Sequence, residues 1–200
     1  NPSVIEAVFE VRFPSDNDWG MSSFVKFAKA AEKAGYSEVV DAGEAFQFSF
    51  QSQEKTIPEV KPISRRIQTW NKSKNELWQA SPDLYAANRR EPYLGWENFR
   101  AHIFKGLDIY SKLAKPKKAL QASLHYVNRI KFDEDPSEYV LFVPPMFQYA
   151  DTFQSFTCHT HQTFKSGDSI IVSSSKDPAV EKRPALILNI VYTTPLPSLD

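Results

Sequence analysis

The chain has 200 residues, 24 Lys and Arg against 24 Asp and Glu, and 14% aromatic residues. That length fits one domain with a real core, and the aromatic content argues against disorder. Zero net charge excludes the global basic field of a non-specific DNA binder, and the lone Cys158 excludes an intrachain disulfide.

Residues Val4 to Phe13 alternate: Ile5, Ala7, Phe9, Val11 and Phe13 share one side, and Glu6, Glu10 and Arg12 the other. Period two predicts a strand with one buried face, ended by Pro14. A helix is predicted over 22–34, where Phe24, Phe27, Ala28 and Ala31 fall at helical spacing and Gly35 suits a C-cap. Phe46, Phe48 and Phe50 alternate with polar residues and predict a strand, whereas 54–63, with Pro58 and Pro62, reads as a loop. Strands are predicted over 66–70 and 76–81 around the polar turn 71–75, with a short one over 84–88 after Pro82.

The clearest helical pattern runs over 95–114, where Trp96, Phe99, Ile103, Leu107, Tyr110 and Ala114 form one stripe. Pro116 ends it, among lysines that suit the negative end of a helix. A long strand is predicted over 119–132, then an acidic polar stretch over 133–138. Residues 139–143 fit a short helix or a strand equally. Strands follow over 153–164 and 169–173 around Ser166-Gly167, and a last buried strand over 186–192.

Two strands end alike, in Glu10-Val11-Arg12-Phe13 and Arg129-Ile130-Lys131-Phe132. This suggests an internal duplication with halves 1–114 and 119–200. The predicted fold is a single α+β domain over 1–200, with a curved antiparallel sheet of about seven to nine strands. Two main helices would cover one face, in a helix-grip or saddle-like layout.

The stretch Asn75-Glu76-Leu77-Trp78-Gln79-Ala80-Ser81-Pro82-Asp83-Leu84-Tyr85-Ala86-Ala87-Asn88 and the later Tyr93-Leu94-Gly95-Trp96-Glu97-Asn98-Phe99 carry a resemblance. With Val4–Phe13 and Tyr126-Val127-Asn128-Arg129-Ile130, they resemble a sporadically distributed bacterial family of uncharacterised proteins, over about residues 2–192. Asn189 stands where that family often has Asp. The resemblance implies a further C-terminal helical segment absent from these 200 residues, and it implies no particular reaction.

Six widely spaced glycines exclude GxGxxG, GxxxxGK[ST] and GxSxG, and HExxH and EF-hand patterns are also absent, so no cofactor is expected. In Cys158-His159-Thr160-His161, a strand would place the two histidines on one face and the thiol on the other. Zinc needs three or four convergent ligands, and only His102 and His125 remain as further histidines, so a polar strand face is the preferred reading and no metal is expected. Glu6, Glu10 and Arg12 share a strand face but lack the ExExK spacing of triphosphate-tunnel enzymes; a salt-bridged face is the simpler reading.

If the two halves are related, Arg12 matches Lys131 and Glu10 matches Arg129. These four residues are the candidate ligand-binding set. Arg65, Arg66, Arg89 and Arg90, mixed with Trp70, Trp78 and Tyr85, would extend it into a basic-aromatic surface for single strands or nucleotides; arginine–carboxylate pairs and core aromatics are the alternative. Within the motif, Gln79, Asp83 and Asn88 suit turns and caps as well as a site, and Trp96 suits a core anchor. No histidine lies there to serve as a base.

Absence of catalytic patterns points to a non-enzymatic cytoplasmic binding protein acting through a protein partner. The sporadic family distribution suggests toxin neutralisation or phage defence. A nucleotide- or nucleic-acid-binding module on a polar sheet face is the alternative, and an enzyme on phosphorylated substrates, with Glu10 as base, a weaker one. No apolar run reaches the ~18 residues of a membrane helix, and no signal peptide is visible, so no membrane partner is expected. Homo-oligomerisation stays open.

Overall fold

The computed structural model describes residues 3–14, 19–41, 65–131, 157–176 and 185–196, together with the backbone of 46–49 and 59–62. In chain order the elements are β1 (Val4–Arg12), α1 (Met21–Lys33), β2 (Glu38–Asp41), β3 (Phe46–Ser49), β4 (Glu59–Pro62), β5 (Ile67–Trp70), β6 (Glu76–Ser81), β7 (Leu84–Arg90), α2 (Trp96–Ala114), β8 (Gln121–Lys131), β9 (Thr157–Thr163), β10 (Ser169–Lys176) and β11 (Ala185–Pro195). Nine strands form one open antiparallel sheet in the order β2-β5-β6-β7-β1-β8-β11-β10-β9, and β3 pairs with β4 separately. The fold is α+β. Neither described helix is long and apolar enough to cross a membrane.

Alternation in β1 sends Ala7 and Val11 into the core, as the sequence predicts. They pack with Phe13, Trp78, Ala80, Tyr85 and Ala87 from the sheet, Phe27 and Ala31 from α1, and Phe99, Ile103, Tyr110 and Ala114 from α2. The α2 stripe is therefore real, with His102 and Gly106 also buried within it. Trp96 is the exception. It is 45% exposed and meets Phe99 edge-on. It is not the core anchor the sequence suggested.

Other elements also differ from expectation, β7 and β10 by running on to Arg90 and Lys176. Residues 59–62 form a strand, with Pro62 opposite Phe46 at its end, where the prolines predicted a loop. A strand end tolerates a residue without an N–H. β2 has no sequence signal, because all four of its residues are exposed and no alternation marks it. β11 runs on to Pro195, beyond the predicted 192. The predictions for 133–138, 139–143 and 153–156 fall outside the described residues.

The β6–β7 hairpin turns at Pro82-Asp83, so Asp83 is turn chemistry as predicted, with the Ser81 hydroxyl donating to its carboxylate at 2.7 Å. Gln79 and Asn88 are instead mid-strand residues. The Tyr110 hydroxyl pins this turn to α2, donating to the carbonyls of Ser81 at 3.0 Å and Pro82 at 3.2 Å. Tyr110→Phe removes both bonds and is expected to cost about 1–2 kcal/mol; a urea denaturation midpoint against wild type measures it.

Candidate functional site

Trp78 and Tyr85 donate hydrogen bonds to α2 carbonyls, so their sides of β6 and β7 face the helices. Alternation then assigns the opposite face, which neither described helix covers (the helix-free face below), and the strand registers align its residues in rows. One row reads Thr163, Ser169, Thr193, Ser123, Glu10, Ala86, Gln79 and Gln68 from β9 to β5. The next reads His161, Ile171, Val191, His125, Val8, Asn88, Leu77 and Trp70.

On this face a chain of side-chain hydrogen bonds crosses four strands. Gln68 donates to Gln79 at 3.3 Å, Gln79 to Asn88 at 3.0 Å, and Asn88 to Glu6 at 2.9 Å. Arg90 closes the chain, 3.8 Å from Glu6 and with its guanidinium 4.8 Å over the Trp70 ring. The motif residues Gln79 and Asn88 are thus joined. The two-residue turn at 82–83 was the available signal, because it sets Leu77 opposite Asn88 and Gln79 opposite Ala86.

Of the four candidate ligand-binding residues, Glu10 and Arg12 come together as an ion pair at 2.9 Å. His125 lies beside them, half-buried, and desolvation lowers its pKa, with Glu10 opposing and Arg12 adding to the effect. Arg12 sits opposite Gln121. Arg129 and Lys131 share the face but lie eight or more residues further along β8, about 26 Å away at ~3.3 Å per residue. Arg12, Arg129 and Lys131 therefore form no common anion pocket.

The wider basic-aromatic surface also divides. Trp78 and Tyr85 are fully buried beneath α2, and Arg89 pairs there with Glu76. Arg65 pairs with Asp41 near α1. Only Arg90 and Trp70 of that set are placed together on the helix-free face. His159 and His161 share this face while Cys158 points away, as alternation requires. His125 is three strands from His161, about 14 Å at ~4.8 Å per strand. No group of three metal-ligating side chains occurs among the described residues.

Beneath the helices lies a titratable cluster that sequence reading missed. The Tyr36 hydroxyl is 2.8 Å from Glu76 Oε2 and 2.9 Å from His102 Nδ1, and His102 Nε2 is 3.2 Å from the Asn88 carbonyl. His102 also stacks on Trp78 at 5.5 Å between ring centres. Desolvation pushes its pKa down to about 4, and Arg89 adds to this; Glu76 and the carbonyls of Leu77 and Asn88 oppose it. Burial likewise raises Tyr36, reinforced by Glu76. Tyr36 and His102 are buried and Glu76 is half-buried, so the cluster is packed between the sheet and the helices.

A different feature is open to solvent. Between α1 and β2 lies a groove of about 310 Å³, walled by Met21, Phe24, Val25, Ala28, Val39 and Ile67. Lys29, Glu32, Asp41, Arg65 and Arg66 rim it. Met21, Val25 and Val39 are 65%, 54% and 47% exposed. Helix α1 thus carries two stripes: Ser23, Phe27 and Ala31 enter the core, while Met21 and Val25 face the groove. The Nε of Arg66 is buried with no hydrogen-bond partner among the described residues. No protein-family model matches the chain, and no curated protein matches it significantly.

Proposed function

We propose that the chain is a non-enzymatic binding protein that acts through a protein partner. The observation carrying this reading is the groove between α1 and β2, an apolar channel open to solvent and rimmed by charges of both signs. An exposed apolar groove with a polar rim is one form that a protein-contact site takes. Two further points support it. The helix-free face holds cations already engaged by Glu6, Glu10 and Trp70, which suits a polyanion poorly. Its candidate cations are also spread along the sheet rather than gathered. The family resemblance suggests a bacterial accessory role in toxin neutralisation or phage defence, and the lone Cys158 suits a reducing cytoplasm. A duplicated origin of the sheet agrees with β1 and β8 lying side by side, since these are the strands that end alike.

The test is site-specific photo-crosslinking of the protein in its native host, with the probe at Val25 or at Val8. One protein captured in stoichiometric amount from Val25, and not from Val8, is the expected result. Nucleic acid in the purified material that is lost on Arg129→Ala would overturn the reading.

A further inference from the structure

We propose that the groove takes an extended segment of the partner, laid along β2, with alternate apolar side chains under α1 and a carboxylate at Arg66. This rests on the partner-binding reading above and adds the conformation and charge of what is bound.

Three observations carry it. First, β2 is the outer strand of the nine-stranded sheet, paired on one side with β5 from Glu38↔Trp70 to Asp41↔Ile67. All four of its residues are exposed. An outer strand presents alternate unpaired N–H and C=O groups, the template to which an extended peptide adds. Second, the apolar groove lies on the α1 side of that same strand, between Val39 and Val25. A strand added about 4.8 Å beyond β2 would send every second side chain toward that channel and the others away from it. Alternation of apolar and polar residues, rather than helical spacing, is the pattern that fits.

Third, the rim is unevenly satisfied. Asp41 is engaged by Arg65. The neighbouring Arg66 keeps a buried Nε without an acceptor among the described residues. A buried guanidinium N–H without an acceptor is costly, and a carboxylate is its strongest partner. The bound segment is therefore acidic as well as apolar.

The probe is a phage-displayed random dodecapeptide library, selected against the full chain. Selected peptides are expected to alternate apolar residues with Asp or Glu. Their affinity should fall at least tenfold on Val25→Asp, a substitution at an exposed position that leaves the circular dichroism spectrum unchanged. Arg66→Gln should weaken an acidic peptide several-fold while leaving its Asp→Asn or Glu→Gln version unaffected. Peptides with apolar residues at i, i+3 and i+4 that still depend on Val25 would overturn the extended segment and leave the partner-binding groove standing. Recovery of only Val25-independent peptides, or of none, counts against both. Concentration-dependent dimerisation abolished by Val25→Asp would make the occupant a second copy of the chain and overturn the proposal.

Discussion

Gly106→Ala is expected to destabilise the protein by about 3–5 kcal/mol, because overpacking and lost hydrogen bonds coincide at one atom. Gly106 lies in the middle of α2, where helix propensity alone would favour alanine. A Cβ there would fall 2.6 Å from the Trp78 ring and into the Tyr85 hydroxyl. Both side chains are fully buried, so neither can swing aside. Each is also fixed by a hydrogen bond to α2 itself, Trp78 Nε1 to the His102 carbonyl at 3.2 Å and Tyr85 to the Ile103 carbonyl at 2.9 Å. Accommodating one methyl group means lifting the helix and breaking both bonds. Equilibrium urea unfolding of the variant measures the loss. A variant as stable as wild type would mean that α2 does not seat against β6 and β7 as described.

Acidification is expected to remove about 3 kcal/mol of stability, the equivalent of a histidine pKa moved from 6.5 in the unfolded chain to about 4 in the fold. The sign follows from which state takes up the proton. The folded His102 resists protonation and the unfolded one does not. The stabilisation is therefore complete above pH 6.5 and is lost as the pH falls from there toward 4. His125, lowered by the same cause, acts in the same direction. The charged groups around His102 are Glu76, which favours the imidazolium, and Arg89, which opposes it. Lys105 lies over the neighbouring Tyr36 and Trp78 rings at about 6 Å. Comparing wild type with His102→Gln at pH 7.5 and 4.5 isolates this residue from the carboxylates that titrate in the same range. The wild-type difference should exceed that of the variant by about 2–3 kcal/mol. Equal differences would mean that Glu76 holds the buried ring as an imidazolium.

The elements that proved legible are those in which burial alone dictates the residue pattern. Val4 to Arg12 alternates because one side of β1 meets the core. Phe99, Ile103, Tyr110 and Ala114 recur because α2 lies flat on the sheet. Where burial does not govern, the pattern vanishes. Glu38 to Asp41 is exposed throughout and carries no period, and the proline signal at 62 masked a strand end. Trp96 misled because a large aromatic at a helix start matches the stripe in spacing without sharing its depth.

The candidate site divides on similar grounds. Glu10 and Arg12, two apart on one strand, had to share a face, and they pair. Arg129 and Lys131 seemed equivalent to them only under a repeat that fixes sequence order and not the position along the strand. The Tyr36, Glu76 and His102 cluster joins the end of α1 with β6 and α2, a contact no local pattern announces. The groove stripe of α1 was hidden by the stronger core stripe next to it.

The placement of β1 governs how the sheet can be assembled in time. It lies at the middle of the nine-stranded sheet, between β7 and β8. Val8 is paired with Asn88 on one side and His125 on the other. β5, β6 and β7 can zip up as a local meander, but β1 must wait for partners made long after it. During synthesis one edge of this half-apolar strand stays open until β7 is made at Arg90, and the other until β8 is complete at Lys131. Such long-range closure slows folding and leaves a sticky segment exposed meanwhile. Glu6, Glu10 and Arg12, the charges that make its outer side polar in the finished sheet, would act earlier as the guard against misassociation.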